Sequence, residues 1–201
     1  MKLFMIIMKN KTSQYTFFIL VSSLAVWLDI FTKALASKYL MSGYVYKLIP
    51  NIIEFTYVKN RGASFGILQN QMIFFYVITA AVMGMISYTI YKLPSEQKYF
   101  PFYLCILFIF SGASGNLIDR VVNGYVVDFI YFKPINFPVF NMADIYITVS
   151  VFFLFILAVF IYKEDDMAFI SSKKGSDANT KSASERIEPF YEPDRNKKSK
   201  K

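Results

Sequence analysis

Ser111-Gly112-Ala113-Ser114-Gly115-Asn116-Leu117-Ile118-Asp119-Arg120 closes a long apolar run, and the chain continues through Tyr125-Val126-Val127-Asp128-Phe129-Ile130 to Asn141-Met142-Ala143-Asp144. Asparagines, aspartates and an arginine therefore stand between segments apolar enough to sit in lipid. Ionisable groups are costly there, so their presence points to function. The whole chain fits that setting: 55% of its 201 residues are hydrophobic and 19% aromatic, too apolar for an ordinary water-soluble domain.

Four apolar segments are long enough to cross a bilayer, at about residues 15–31, 71–91, 99–118 and 145–162. Residues 1–11 form a short basic and apolar leader. A cleaved signal peptide is disfavoured, because no small-x-small site precedes a soluble domain and further spans follow. Residues 12–162 make one membrane domain. Residues 163–201, rich in Lys, Ser, Glu, Asp and Asn, are expected to be a disordered basic tail. From Ala34 to Asn70 the chain lacks a helical period. There Ile53, Phe55 and Tyr57 alternate with Glu54, Thr56 and Val58, a half-buried strand pattern that predicts a small sheet on the membrane. The expected fold class is an all-α polytopic membrane protein, four transmembrane helices with a small extracytoplasmic β-sheet.

A net charge of +8 would favour nucleic acid in a soluble protein. Here many lysines lie in the tail and most of the others flank apolar runs, so membrane lipid headgroups are the expected partner and nucleic acid is not. Histidine is absent and Cys105 stands alone in an apolar run, which removes Ser-His and Cys-His nucleophiles and any thiolate metal cluster. No metal or other cofactor is expected. Acid–base chemistry is left to carboxylates, lysine and tyrosine.

The polar residues have a common address. Asp29 and Lys33, four apart and able to pair as an interfacial ion pair, end the first span; Asn60 lies in Lys59-Asn60-Arg61-Gly62 before the second. Asn116 and Arg120 share a helical face at the end of the third span, where Gly112 and its small neighbours admit a close-packed helix. Val121 to Val127 reads as a hairpin turning at Asn123-Gly124, leading into a strand that presents Asp128 with Val126 on one face. Asn141 is a natural N-cap for the fourth span, with Asp144 at its N3 position. Because the spans alternate in direction, all these groups fall at one membrane face. The termini and the Lys92–Lys98 turn carry 15 of the 22 Lys and Arg residues, which puts the termini in the cytoplasm and the polar face outside it.

These residues resemble the bacterial lipoprotein signal peptidases, also called type II or prolipoprotein signal peptidases. Similar stretches are Asp29-Ile30-Phe31-Thr32-Lys33, Lys59-Asn60-Arg61-Gly62-Ala63-Ser64-Phe65, Gly112 to Arg120, Gly124-Tyr125-Val126-Val127-Asp128-Phe129, and Phe137-Pro138-Val139-Phe140-Asn141-Met142-Ala143-Asp144. The resemblance implies an aspartic endopeptidase of the bacterial plasma membrane. Such an enzyme removes the signal peptide from diacylglyceryl-modified prolipoproteins by cleaving before the modified cysteine. It places a catalytic pair on Asp128 and Asp144, supported by Asp29, Lys33, Asn60, Gly112, Asn116, Arg120, Asn141 and Ala143. A monomer is expected. The rival readings are a small proton- or cation-coupled transporter and a scaffold subunit with the polar cluster as interhelical glue. Against transport, no inverted repeat is visible and the carboxylates gather at one interface instead of the midplane.

Overall fold

Asn10 opens the first long helix of the computed structural model, which describes residues 6–62, 71–167 and 169. The Asn10 side chain accepts from Ser13 N and so satisfies a backbone donor that helix geometry leaves free. Helix α1, Lys11–Leu40, runs for 30 residues and overruns the expected span at both ends. Ala34 to Leu40, expected as irregular chain, is its C-terminal part. The segment contains good helix formers, and Ala36 and Leu40 bury their side chains with Val127 and Phe129.

Three further helices follow: α2, Met72–Lys92; α3, Phe100–Asn123, entered through a 3₁₀ turn at Gln97–Tyr99; and α4, Met142–Ile156, which continues as a π-helical turn over Leu157–Ile161. All four helices are long and apolar enough to cross a membrane, and the chain is a multi-pass membrane protein. Helix α3 is central, packing on each of the other three. The apolar core between the helices gathers Ile86, Ile90, Leu93, Tyr99, Tyr103 and Leu107. At the same end, Lys11 Nζ donates to the carbonyls of Ile90, Tyr91 and Leu93, a cation closing the negative terminus of α2.

Strands β1, Tyr46–Ile49, β2, Ile53–Asn60, and β3, Val126–Phe132, form an antiparallel sheet in the order β1-β2-β3. The expected alternation in β2 holds only in part. A register irregularity falls between Phe55 and Val58, and Glu54, on the face read as polar, is buried and paired with Lys133 at 2.8 Å. On β3, Val127 and Phe129 enter the small core with Ala36 and Leu40. Val126 and Asp128 line a different, polar cavity.

Asn123-Gly124 is not a hairpin turn. Helix α3 runs on through Asn123, and Gly124 caps it at φ 73°, its N–H donating to Arg120 O at 3.1 Å. A left-handed residue serves a helix C-cap as readily as a primed hairpin turn, so the dipeptide alone does not separate the two. Glu164–Met167, at the start of the segment expected to be disordered, forms a 3₁₀ turn held by the 2.8 Å pair of Asp166 with Lys98. The first five residues, Ala63 to Phe65 of the second similar stretch, and nearly all of the tail lie outside the described residues.

Candidate active site

Helix α4 begins with a reciprocal cap. Asn141 Oδ1 accepts from Asp144 N at 3.0 Å, and Asp144 Oδ2 accepts from Asn141 N at 3.1 Å. This local chemistry fixes the Asp144 carboxylate in the first turn, at the positive end of the helix. Its other oxygen accepts from Asn116 Nδ2 on α3 at 2.9 Å.

Asp128 arrives from the sheet and is almost wholly buried. Asn141 Nδ2 donates to its Oδ1 at 2.6 Å, and Asn60 Nδ2 on the neighbouring strand β2 donates to Oδ2 at 2.8 Å. Asn141 therefore holds both carboxylates, one by its side chain and the other through the cap. Asn141 Nδ2 also lies 3.2 Å from Asn116 Oδ1, which ties the two asparagines together. Burial above all, and next the charge of Asp144, push the Asp128 carboxyl up to about 7, against the opposing hydrogen bonds from Asn60 and Asn141.

The sign of the resulting pH effect follows from which form burial penalises. A protonated Asp128 tolerates its site, whereas the anion must be held in a desolvated place. Its contribution to stability is thus complete below the ordinary carboxylate range and is lost as pH rises through about 7. Wild type should therefore lose thermal stability relative to Asp128→Asn between pH 5 and pH 8, read from unfolding midpoints in detergent. A difference that stayed constant across that range would mean that Asp128 ionises before it.

Behind the pair lies a buried ionic layer. Lys33 Nζ is 2.7 Å from Asp29 Oδ2 and 3.2 Å from Asp119 Oδ2, and donates to Asn116 Oδ1 at 2.9 Å. The Asp29–Lys33 pair was expected at an interface. It is instead fully enclosed, because α1 and α3 meet at Gly115, where an added Cβ would fall on Asp29 Oδ2. Asp29 Oδ1 accepts from Ala143 N at 2.9 Å, so α1 also fastens the first turn of α4. Gly112 permits the α3–α4 approach: a Cβ there would stand 2.5 Å from Ala143 O and 2.8 Å from Ile147 Cγ1.

Arg120 completes the cluster on the side of α2. Its guanidinium lies over the Phe75 ring at 4.3 Å and donates to Gly62 O at 3.3 Å, while its buried Nε has no hydrogen-bond partner among the described residues. The polar cavity of about 190 Å³ at this point is lined by Asn60, Asn116, Arg120, Asp128 and Asp144, with Phe75, Val126 and Val139 as apolar walls. A larger apolar cavity of about 540 Å³, between the end of α1 and the sheet, is lined by neither aspartate.

All ten residues singled out in the sequence thus meet in one cluster or in the helix contacts that enclose it. Asp119 and Phe75 were missed. Asp119 stands three residues after Asn116 and shares its helical face, a signal that was present in the spacing. Phe75 carried none, being one aromatic residue in an apolar span.

The chain is similar over most of its length to known bacterial proteins. A lipoprotein signal peptidase of Caldanaerobacter subterraneus subsp. tengcongensis is 48% identical over 143 residues, 71% of this chain and 95% of the relative. One from Brevibacillus brevis is 42% identical over 142 residues, covering 71% and 93%. One from Enterococcus faecalis is 36% identical over 159, covering 79% and 95%. A bacterial membrane enzyme structure determined at 1.9 Å is similar with a TM-score of 0.65 and 33% identity, over 73% of this chain and 95% of that one. The signal peptidase (SPase) II family model matches residues 21–160, from within α1 to the last turn after α4. That match takes in every group of the polar cluster, and the chain belongs to the signal peptidase II family.

Proposed function

We propose that this signal peptidase II is an aspartic endopeptidase whose catalytic pair is Asp128 and Asp144, and that it cleaves diacylglyceryl-modified prolipoproteins immediately before the modified cysteine. The observation that carries the reading is the bridge of Asn141 to both carboxylates at the wall of a polar cavity. Burial and the neighbouring charge of Asp144 both disfavour the anion of Asp128. Burial raises Asp128, which suits it to be the acid. Asp144, at a helix N-terminus and accepting two N–H donors, is placed to act as the base.

In this mechanism Asp144 takes a proton from a water, whose oxygen attacks the scissile carbonyl carbon. Asp128 protonates the carbonyl oxygen as the tetrahedral intermediate forms. Collapse then breaks the C–N bond: Asp128 takes back a proton from a hydroxyl of the gem-diol as the C=O reforms, and the proton held by Asp144 passes to the leaving amine. Arg120, whose buried Nε has no hydrogen-bond partner among the described residues, and Asn116 bind and orient the substrate backbone beside the pair. The supporting Asp29, Lys33, Asn60, Gly112 and Ala143 hold the carboxylates and the helices that bear them. The Lys and Arg distribution supports cytoplasmic termini and a site near the outer face, where the acyl chains of the substrate remain in the bilayer. Neither the site nor the relatives support ion transport.

The purified protein in detergent is expected to release a signal peptide from a diacylglyceryl-modified prolipoprotein, with mass spectrometry placing the cut directly before the cysteine. A cut elsewhere, or none, would sink the proposal.

A further inference from the structure

The C-terminal turns of α1 pack on the sheet through Ala36 and Leu40, and the cavity of about 540 Å³ lies between the two. Its walls are Leu35, Ala36 and Leu40 from the helix, Phe55 and Phe129 from the sheet, and Met142 at the start of α4. None of these side chains carries a nitrogen or oxygen. The Thr32 hydroxyl, also in the wall, is already spent on the carbonyls of Leu28 and Asp29. Phe55 is wedged between the stacked ring of Tyr46 at 6.2 Å and the edge-on ring of Phe129 at 6.1 Å, so the sheet side of the cavity is a firm aromatic surface. A water needs two to four polar partners, which these walls do not offer, and the volume falls within the roughly 300–1,000 Å³ of small-molecule sites. The space suits an apolar occupant.

The mouth says which one. Tyr39, Tyr44 and Tyr46 complete the lining and are its most exposed members, at 59, 59 and 49%. Lys38 Nζ stands 5.1 Å from the centre of the Tyr39 ring, and Lys38 makes no ion pair among the described residues. Helix α1 has 30 residues and is therefore about 45 Å long, against about 30 Å of bilayer hydrocarbon. Its last turns thus reach the membrane–water interface, where tyrosine rings and lysines gather beside lipid headgroups. We infer that this cavity binds an acyl chain of an anionic membrane phospholipid, with the phosphate at the tyrosine mouth beside Lys38. The site is separate from the catalytic one. The two cavities share no lining residue, and Phe129 enters this one from the face of β3 opposite to Asp128. A chain bound there fills the space between α1 and the strand that carries Asp128, and braces the sheet on the helix.

The test uses the full-length protein in detergent, mixed with phosphatidylglycerol or phosphatidylcholine, with retained lipid read by native mass spectrometry. Wild type should retain one phosphatidylglycerol in preference to phosphatidylcholine and unfold at a higher temperature with it. Ala36→Phe places a ring in the cavity and should weaken retention of both lipids by about tenfold, the scale of a few methylenes left unburied. Lys38→Gln should weaken phosphatidylglycerol alone, by about fivefold, the scale of one cation beside an anionic headgroup. Val151→Trp, on an exposed face of α4, should retain lipid as wild type does. If Ala36→Phe does not fold, Leu35→Trp at the same wall decides. Wild-type retention by the folded cavity variant would overturn the inference, as would an equal loss in Val151→Trp or a phosphatidylglycerol preference unchanged in Lys38→Gln. Displacement of the lipid by a diacylglyceryl-modified peptide would give the cavity to the substrate and overturn it as well. No cleavage is read in this test, so its failure leaves the proposed peptidase function standing.

Discussion

Asp144→Asn and Asp128→Asn are each expected to lower kcat for prolipoprotein cleavage by about 10³-fold, the scale set by losing a positioned acid or base. The substitutions keep shape and most acceptor geometry, so the fold should survive. For Asp144→Asn the cap weakens, because an amide offers the Asn141 N–H a single oxygen and Asn116 must face either an oxygen or an NH₂ group. For Asp128→Asn the buried carboxyl is replaced by a neutral amide. Its NH₂ must then face one of the two donors, Asn60 or Asn141, which offsets part of what removal of the buried charge recovers, so the stability of this variant relative to wild type should rise from pH 5 to pH 8. Gel-resolved conversion of the modified precursor measures the first effect, and thermal unfolding in detergent measures the second. A variant with more than about one-tenth of wild-type kcat would exclude its aspartate from the acid–base role.

Lys33→Met should produce the second large effect, on stability. Lys33 is the cation set between Asp29 and Asp119, and all three residues are buried. Methionine retains much of the volume but leaves two carboxylates without their ion partner. Removing one partner from such a buried set costs about 3–5 kcal/mol, more than the intact set contributes relative to apolar packing. The relay to Asn116 is lost at the same time, so any folded Lys33→Met protein should cleave poorly. Adding Asp29→Asn to Lys33→Met should recover part of the stability, since one unpaired charge is removed. A shift in the unfolding midpoint too small to resolve for Lys33→Met would show that water or protonation compensates both carboxylates.

Local chemistry was legible where the partners are neighbours in the chain. The Asn141–Asp144 cap needs only the spacing of an N-cap and its N3 residue, and the structure forms it as expected. Asp29 and Lys33 were readable as a pair for the same reason. Their complete burial was not, because it depends on Gly115 of another helix admitting the Asp29 carboxylate. Asn123-Gly124 misled because a helix C-cap and a hairpin turn require the same left-handed backbone. The C-terminal part of α1 was missed because Ala36 and Leu40 find their apolar partners on β3, far along the chain.

By itself the sequence determined four apolar spans, the clustering of polar residues at one end of them, and the residue types from which a carboxylate site could be made. Hydrophobic length and alternation of direction are local or topological properties, so they survive without coordinates. The tertiary structure decided that Asn141 bridges Asp128 and Asp144, that burial lifts the Asp128 carboxyl to about 7, and that Asp119, paired with Lys33, accepts from Val127 N of strand β3. Each of these depends on separations of about 3 Å between atoms of different elements, which interhelical packing sets and one-dimensional spacing does not.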